Sequence, residues 1–257
     1  MIDSLLLTCP IVYTFAGAVA LTNATGFFFA RDGRLYLVTA RHVFFDGRRN
    51  HRPDRIEIEV HSSDADVAAT LRFSVPLYNQ GNSVWLAATD DGGAVDVAIA
   101  EIDQAALPAS TRLQAFTPDH LLGPGEHVEI GARLLTVGYP MGFEDALHRL
   151  PVARQAGLAS SFGLRFGGKG YFLVDAWTHR GISGAPVVMR AAGDFNPAGA
   201  AASLPWRLLG IHSARLESPL RDPSQDEVLG LNAVWYADVI LALTDNRQAL
   251  PPAGGGH

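Results

Sequence analysis

Cysteine is nearly missing from this chain, which has one such residue, Cys9, among 257. A single thiol cannot form an intrachain disulfide, and this excludes a disulfide-stapled framework. A chain of this length buries about 70% of its unfolded surface, so a hydrophobic core is enough to hold it folded. The composition therefore does not demand an oxidising compartment.

Positive charge is also scarce, because 20 Lys and Arg stand against 26 Asp and Glu, for a formal net charge of −6. A polyanion binder is usually basic, so this balance argues against nucleic acid as the main partner. The 48% hydrophobic and 18% charged residues are typical of a globular protein and not of a disordered one. No group of His, Cys, Asp or Glu has metal-site spacing, and we expect neither a metal nor a cofactor.

Charge is absent from Ser4 to Ala30, a stretch long enough to be an export leader or a membrane span. The residues before it include no basic side chain, only Asp3, which argues against a leader. Pro10 interrupts the apolar run and several threonines dilute it, which disfavours a span. The β-branched and aromatic residues from 11 to 29 favour buried strands instead. We therefore expect a cytoplasmic protein without membrane contact; export through this stretch is the alternative.

Helical periodicity is nearly missing until the end of the chain. Short apolar runs recur between clusters of Gly, Asp, Asn and Pro, a spacing typical of an all-β sandwich or barrel. Tyr236–Leu243 puts its apolar residues on one face and predicts a short C-terminal helix. Turn residues between 107 and 127 predict a linker between two β units. The predicted parts are an N-terminal unit at 1–106, the linker at 107–127, a C-terminal unit at 128–246 and a flexible tail at 247–257.

Three short segments carry the residue types of nucleophilic catalysis. His42 follows the second strand of a predicted hairpin, and Asp96 interrupts the apolar run Val95–Ala100. Ser183 lies in the turn Gly-Ile-Ser-Gly, which leads at once into a strand. Each residue alone has a plain structural explanation, as a strand-end histidine, an edge-strand charge or a turn serine. The ordered combination of all three is much harder to produce by chance.

The chemistry of these three residue types is complementary. A serine hydroxyl is a weak nucleophile until a base takes its proton, and histidine suits that task with an unperturbed pKa of ~6.5. A buried carboxylate orients the imidazole and stabilises its protonated form. The serine turn must also aim backbone N–H groups at the developing oxyanion, and Gly181 permits the backbone conformation that such a turn often needs. We therefore assign His42, Asp96 and Ser183 as candidate base, orienting acid and nucleophile.

At Val-Thr-Ala-Arg-His42, Asp96-Val-Ala and Gly181-Ile-Ser-Gly-Ala-Pro186, the sequence resembles the trypsin-like serine peptidases of the chymotrypsin clan. It is most similar to their bacterial branch without disulfides or extra domains. The resemblance implies two six-stranded antiparallel Greek-key barrels with the active site in the cleft between them. It also implies a serine endopeptidase that acts through an acyl-enzyme on protein or peptide substrates, with the N–H groups of Gly181 and Ser183 as its oxyanion hole.

The resemblance also assigns a substrate pocket, because in this family the residues five and six before the nucleophile and the Gly-Ile-His-Ser strand line it. These residues are Thr178, Trp177 and His212. Trp177 in place of an acid disfavours cleavage after Lys or Arg. Thr178 and His212 resemble a pair in the glutamyl endopeptidases, which implies cleavage after acidic residues. A pocket filled by Trp177, with a preference for small side chains, stays open.

One departure from the family and two alternatives remain. Ile182 precedes the serine where digestive relatives carry Asp, so activation by a newly cut N-terminus cannot operate here. A catalytically idle module that binds peptides or protein partners in the same cleft is the main alternative. An esterase on the same fold is a third. An α/β-hydrolase is excluded, since it needs Gly-x-Ser-x-Gly and the order Ser, Asp, His.

Overall fold

A computed structural model describes residues 2–63, 65–123, 125–193, 204–215 and 229–245. Strands dominate these residues, as the all-β prediction requires, and the helices are short. The tail predicted at 247–257 lies outside the described residues. No helix in the described part has the length and apolar character needed to cross a membrane.

The strands of the N-terminal unit are β1 (Ile11–Ala16), β2 (Val19–Thr25), β3 (Phe27–Arg31), β4 (Arg34–Thr39), β5 (Arg55–His61), β6 (Thr70–Pro76), β7 (Tyr78–Asn79), β8 (Asn82–Ser83), β9 (Trp85–Asp90) and β10 (Gly93–Ile102). Those of the C-terminal unit are β11 (Arg133–Gly138), β12 (Val152–Leu158), β13 (Tyr171–Asp175), β14 (Pro186–Arg190), β15 (Trp206–Arg215) and β16 (Leu231–Tyr236). The α-helices are α1 (Arg41–Phe44) and α2 (Val239–Thr244), and 3₁₀ turns lie at Leu6–Thr8, Gln104–Ala106, Pro118–His120, Pro140–Gly142 and Phe166–Gly168.

The N-terminal unit is built from two antiparallel four-stranded sheets, in the orders β2-β1-β5-β6 and β3-β4-β10-β9. Alternation along the strands explains their packing, because Ile56 and Ile58 of β5 are fully buried while Glu57 between them is only partly buried. These isoleucines share one core with Phe28, Leu37 and Ala98 of the other sheet. The two sheets therefore enclose a single hydrophobic core.

Hydrogen bonding in this unit differs in detail from the six-stranded ladder that the resemblance implied. The chain passes from one sheet to the other between β2 and β3, and only Gly26 separates these strands. A Cβ atom at Gly26 would lie 2.8 Å from Leu37 Cδ1, so the absence of a side chain permits this corner. Corners where strands change sheets interrupt the ladder, which is why the barrel is divided into two sheets.

The C-terminal unit is a closed six-stranded barrel in the order β11-β12-β13-β16-β15-β14, and this confirms the prediction for this half. Its core contains Phe172 and Val174 of β13, Val187 of β14 and Val234 of β16. Each fully buried side chain of this kind contributes about 1.5–3 kcal/mol through removal from water. The barrel therefore has a core of its own, separate from that of the N-terminal sheets.

A third core joins the two units. It contains Phe27 and Ile99 from the sheets, Val188 and Ile211 from the barrel and Ile240 from α2. The predicted C-terminal helix is thus present, beginning at Val239, and it packs where the units meet. Arg31 of β3 fastens the end of this helix, since its Nη1 donates to the carbonyl oxygen of Leu241 (2.8 Å) and to Thr244 Oγ1 (3.0 Å).

The segment predicted as a linker is partly buried. Phe116 has no exposed surface and meets Phe27 edge to face, with ring centroids 5.7 Å apart. Its backbone N–H donates to the carbonyl oxygen of Phe28 at 2.9 Å. The domain boundaries at 106, 127 and 246 and the cytoplasmic location stay predictions.

Candidate active site

His42 follows one strand of a sheet, and Asp96 lies on the neighbouring strand. Thr39, the last residue of β4, pairs with Ala98 of β10, which places Asp96 beside the start of α1. The single turn of α1 carries His42, whose backbone N–H donates to Asp96 Oδ1 at 2.9 Å. Its ring Nδ1–H donates to Asp96 Oδ2 at 2.7 Å. With Nδ1 occupied in this way, the Nε2 atom of a neutral His42 is free to accept a proton.

Asp96 projects from a break in the pairing between β10 and β9, whose register shifts between Ala94 and Ala98. A second irregularity, between His212 and Ala214 of β15, accompanies Ser213. The Ser213 hydroxyl donates to Asp96 Oδ2 from the barrel side. Burial pushes the pKa of Asp96 up, but the hydrogen bonds from His42 and Ser213 outweigh it, and the pKa lies below its ordinary value.

Two glycines shape the Ser183 turn, and one of them, Gly184, packs against the segment that leads into His42. Gly181 and Gly184 have φ angles of +92° and +86°, a region that L side chains rarely adopt. A Cβ atom on Gly184 would lie 2.9 Å from the backbone nitrogen of Ala40 and would collide with Thr39 Oγ1. Since Ala40 is the N-cap of α1, the turn that carries Ser183 packs directly against the residues that lead into His42.

Thr25 of the N-terminal unit forms hydrogen bonds to the same turn. Its backbone N–H donates to the carbonyl oxygen of Ser183 at 3.0 Å, and its hydroxyl donates to that of Gly181 at 2.7 Å. The hydroxyl oxygen also accepts from the backbone N–H of Tyr139 at 3.0 Å. One buried threonine therefore connects the candidate nucleophile turn, the loop after β11 and the end of β2.

Two backbone N–H groups beside Ser183 are arranged as anion donors. The carbonyl oxygen of Arg180 accepts from the N–H of Met141 at 2.5 Å, and in a trans peptide the N–H of Gly181 then points the opposite way. Neither Gly181 N–H nor Ser183 N–H finds an acceptor among the residues that the structure describes. Gly181 is buried and Ser183 partly buried, and two neighbouring N–H groups without a protein acceptor are suited to an oxyanion.

The three residues predicted for the substrate pocket do not all come together. Thr178 and His212 are buried, and both meet the carbonyl oxygen of the Asn232 side chain, which accepts from Thr178 Oγ1 and, at 3.3 Å, from His212 Nε2. The amide nitrogen of Asn232 donates to the carbonyl oxygens of Ala176 (2.8 Å) and Gly230 (2.9 Å), which fixes its orientation. Trp177 lies apart from this cluster, with 63% of its surface exposed.

Ser213, Asn232 and Thr25 were missed by the reasoning from sequence. Each is a polar residue in a strand, and each is buried. A buried polar side chain needs a hydrogen-bond partner, and for Asn232, in the otherwise apolar strand Leu231–Tyr236, this was an available signal. Among the described residues, no cluster of three or more His, Cys, Asp or Glu could hold a metal ion.

Comparison with known proteins identifies the family. The family described as "Trypsin-like peptidase domain" matches residues 24–195, two thirds of the chain. This chain belongs to the trypsin-like peptidases. The matched span contains His42, Asp96 and Ser183. Among curated proteins, none matches the chain.

Solved structures show the fold of this peptidase. A serine endoprotease from Yersinia pestis is 15% identical with a TM-score of 0.54, and the match covers 92% of this chain and 61% of that one. The Rv3671c protease from M. tuberculosis, in its active form, is 16% identical with a TM-score of 0.51, covering 98% and 85%. The expected chymotrypsin-like fold is thereby confirmed. The chain spans about three fifths of the length of the Yersinia protein.

Proposed function

We propose that this trypsin-like peptidase is a serine endopeptidase that hydrolyses peptide bonds in protein or peptide substrates through an acyl-enzyme. The observation that carries the proposal is the pair of N–H groups at Gly181 and Ser183, which have no acceptor in the described residues. A turn that only had to connect β13 to β14 would gain nothing from two unsatisfied donors. A turn that stabilises a tetrahedral intermediate requires them.

His42, Asp96 and the two N–H groups act in both halves of the reaction, acylation and deacylation. His42 Nε2 removes the proton of Ser183 Oγ as the oxygen attacks the substrate carbonyl, and Asp96 stabilises the imidazolium that forms. The two N–H groups hold the negative oxygen of the tetrahedral intermediate. His42 then gives the proton to the leaving amine, which leaves an acyl group on Ser183. A water molecule, deprotonated by His42, releases the acid and restores the serine.

An idle binding module remains the second candidate, and the Asp96 contacts weigh against it. A carboxylate that accepts three hydrogen bonds, two of them from His42, fixes the imidazole in both position and tautomer. A module that only bound peptides would not need this orientation. An acid whose pKa is lowered by hydrogen bonds from a neighbouring histidine is found at catalytic sites more often than on binding surfaces.

A fluorophosphonate probe distinguishes the two functions, since it reacts covalently only with an activated serine. We expect labelling of the wild-type chain, loss of labelling in Ser183→Ala, and unchanged labelling in Ser161→Ala, a control at an exposed serine. An unlabelled wild type, folded by circular dichroism, would favour the idle module. Hydrolysis of small esters without any cleavage of a protein substrate would indicate the esterase.

We further propose a preference for Glu or Asp before the scissile bond, supported by the buried group of Thr178, His212 and Asn232. A protonated His212 could donate to a substrate carboxylate in a charge-assisted bond, while Asn232 accepts its second N–H. The exposed position of Trp177 gives no support to a pocket filled by this side chain. Paired peptides that differ only as Glu or Gln before the bond test this preference. Equal rates would contradict it, and we expect His212→Ala to abolish the difference.

A further inference from the structure

The residues around and after the candidate base are strongly basic, in a chain whose formal net charge is −6. Residues 41–52, which we call the basic segment, contain one acid, Asp46, and four arginines: Arg41, Arg48, Arg49 and Arg52. The formal charge of this segment is therefore +3, against −9 for the rest of the chain. Such a local reversal of sign attracts anions to one part of an otherwise acidic surface.

The basic segment forms a closed turn after α1. The backbone N–H of Asp46 donates to the carbonyl oxygen of His51, and the N–H of His51 donates to that of Asp46, both at 2.9 Å. The ring Nε2–H of His51 donates to the carbonyl oxygen of Val43 at 2.9 Å, which joins the turn to α1. Arg48 and Arg49 lie at the tip, between the two paired residues, and both are exposed.

The one acid of the segment serves the turn itself. Asp46 Oδ1 accepts from the backbone N–H groups of Arg48 at 3.0 Å and Arg49 at 3.3 Å, and the Asp46 side chain is 19% exposed. The Arg49 side chain is 71% exposed, with its Nε 3.8 Å from Asp46 Oδ2. This carboxylate therefore shapes the backbone of the turn and neutralises at most one of the four arginines.

The other three arginines keep their positive charge. Among the described residues, no carboxylate lies within ion-pair distance of Arg41, Arg48 or Arg52. The guanidinium carbon of Arg52 lies over the ring of Phe45, 5.5 Å from its centroid, a contact that holds the side chain without neutralising it. Arg48 and Arg52 are exposed and Arg41 partly exposed, so an anion in solution can reach them.

The basic segment lies on the leaving-group side of the candidate site. His42 belongs to α1, and its ring Nδ1–H donates to Asp96. Its Nε2, on the other edge of the ring, gives the proton to the leaving amine. The substrate chain that follows the scissile bond therefore begins beside His42 and next meets α1 and the turn after it. Thr178 and His212, which we assign to the residue before the bond, lie on the barrel instead.

We propose that this peptidase selects substrates that carry two or more acidic residues after the scissile bond, which pair with the arginines of the basic segment. The inference rests on the proposed function and names the substrate class on the side that the Thr178 and His212 pocket does not serve. The planar guanidinium group of arginine matches the geometry of a carboxylate and forms charge-assisted hydrogen bonds with it. Several acids suit the segment better than one, because its charge is spread from Arg41 to Arg52.

Binding is tested on the full chain carrying Ser183→Ala, which cannot cut the probe. The probe is rhodamine-labelled Gly-Ser-Glu-Asp-Glu-Asp-amide, and its neutral twin is Gly-Ser-Gln-Asn-Gln-Asn-amide, both followed by fluorescence anisotropy. At 0.1 M NaCl we expect saturable binding of the acidic probe, at least tenfold tighter than that of the twin. At 1 M NaCl the difference should fall below twofold, because the Debye length shrinks from about 10 Å to about 3 Å.

Charge variants in the same Ser183→Ala chain locate the binding. Arg41→Gln and Arg48→Gln should each weaken binding of the acidic probe by up to about fivefold, the range of an exposed ion pair, and the double variant should weaken it further. Arg48→Lys keeps the charge and should stay within twofold. Arg133→Gln is the matched control, because Arg133 is exposed and has no carboxylate partner in the described residues. It begins β11, about 17 Å from Gly138, which packs against Ile182 beside the candidate nucleophile.

Cleavage places the acids relative to the bond. A library of peptides from a digested proteome is cut by the wild-type chain, and the cut sites are read by mass spectrometry. We expect Glu and Asp to be enriched at the first three positions after the cut. The enrichment should disappear in Arg41→Gln/Arg48→Gln and persist in Arg133→Gln. Enrichment confined to the residue before the cut would overturn the proposal.

Four binding results would also overturn it. These are equal affinity for the neutral twin, no saturable binding up to 1 mM probe, an equal loss in Arg133→Gln, and tighter binding of a single-stranded hexathymidylate at the same arginines. The last would identify a nucleic-acid surface. A chain that binds the acidic probe through these arginines but cuts no peptide would refute the proposed function alone. A chain that cuts peptides without acidic enrichment after the bond would refute this inference alone.

Discussion

In the N-terminal sheets, His42 and Asp96 are held by two hydrogen bonds to each other, whereas in the C-terminal barrel the Ser183 turn is held by its backbone. The candidate base follows β4 and the candidate acid lies on β10, so their geometry follows from the pairing of these two strands. The turn instead depends on positive φ angles at Gly181 and Gly184 and on Thr25 from the other unit. The hydrogen bonds between His42 and Asp96 thus lie within one unit, whereas the position of the Ser183 turn depends on both units.

The largest expected effect comes from removing a member of the candidate triad. Ser183→Ala or His42→Ala should lower kcat/KM by about 10⁴-fold or more, because the three groups act as a unit. Both variants should stay folded, as shown by circular dichroism, since neither side chain is part of a core. His127→Ala, at an exposed histidine, is the control. Near wild-type activity in His42→Ala with Ser183 still required would show that the base is misassigned.

Gly184→Ala should damage both folding and activity. The added Cβ atom collides with Thr39 and Thr25, and the positive φ costs roughly 1–3 kcal/mol on its own. Overpacking adds about 1–3 kcal/mol, and the turn would move away from His42. The free energy of unfolding from urea titration measures the loss. Gly157→Ala is the matched control, because its added Cβ meets nothing within 4 Å.

Thr25→Val tests the connection between the two units. The change keeps the shape of the side chain but removes the hydroxyl that donates to Gly181 and accepts from Tyr139. Leaving these buried groups without partners should cost about 1–3 kcal/mol of unfolding free energy. We expect activity to fall more than stability alone explains, since the turn loses one of its two anchors. If activity, measured below the unfolding transition, fell only in parallel with the free energy of unfolding, the result would argue against an alignment role for Thr25.

Ser213→Ala should have the smallest effect and a specific pH signature. Asp96 has a pKa below its ordinary value, so its contribution to stability is present above the unfolded pKa of about 3.9. This contribution is lost as pH falls through the lower folded pKa. Without the Ser213 hydroxyl the folded pKa rises toward the unfolded value, and the contribution becomes smaller. Unfolding free energies measured from pH 6 to pH 2 should show a shallower acid loss in the variant.

From the sequence we predicted the candidate residues whose signal is local and missed those whose contacts are distant along the chain. Ser183 stands between glycines and His42 follows a strand, and both patterns are visible in a few letters. Ser213 meets Asp96 across 117 positions of the chain, and only the register of β15 brings them together. The corner at Gly26 is a similar case. A glycine is needed there because Leu37 approaches closely, and no local sequence pattern shows this approach.

The specificity prediction shows the same limit. Thr178 and His212 were paired by resemblance, but the residue that joins them, Asn232, lies on β16, which pairs with the β15 strand of His212. Trp177 is next to Thr178 in the chain and yet faces another region. Neighbouring residues diverge here because β13 ends at Asp175 and the chain leaves the barrel wall.

Trapping the acyl-enzyme tests the central claim most directly. The full chain is mixed with an activated ester such as p-nitrophenyl acetate, quenched in acid within seconds, and analysed by intact mass spectrometry and peptide mapping. We predict one added acetyl group, located on Ser183, that is absent in Ser183→Ala and forms far more slowly in His42→Ala. An adduct on another residue, or release of p-nitrophenol without any adduct on Ser183 even under the fastest quench, would contradict the account.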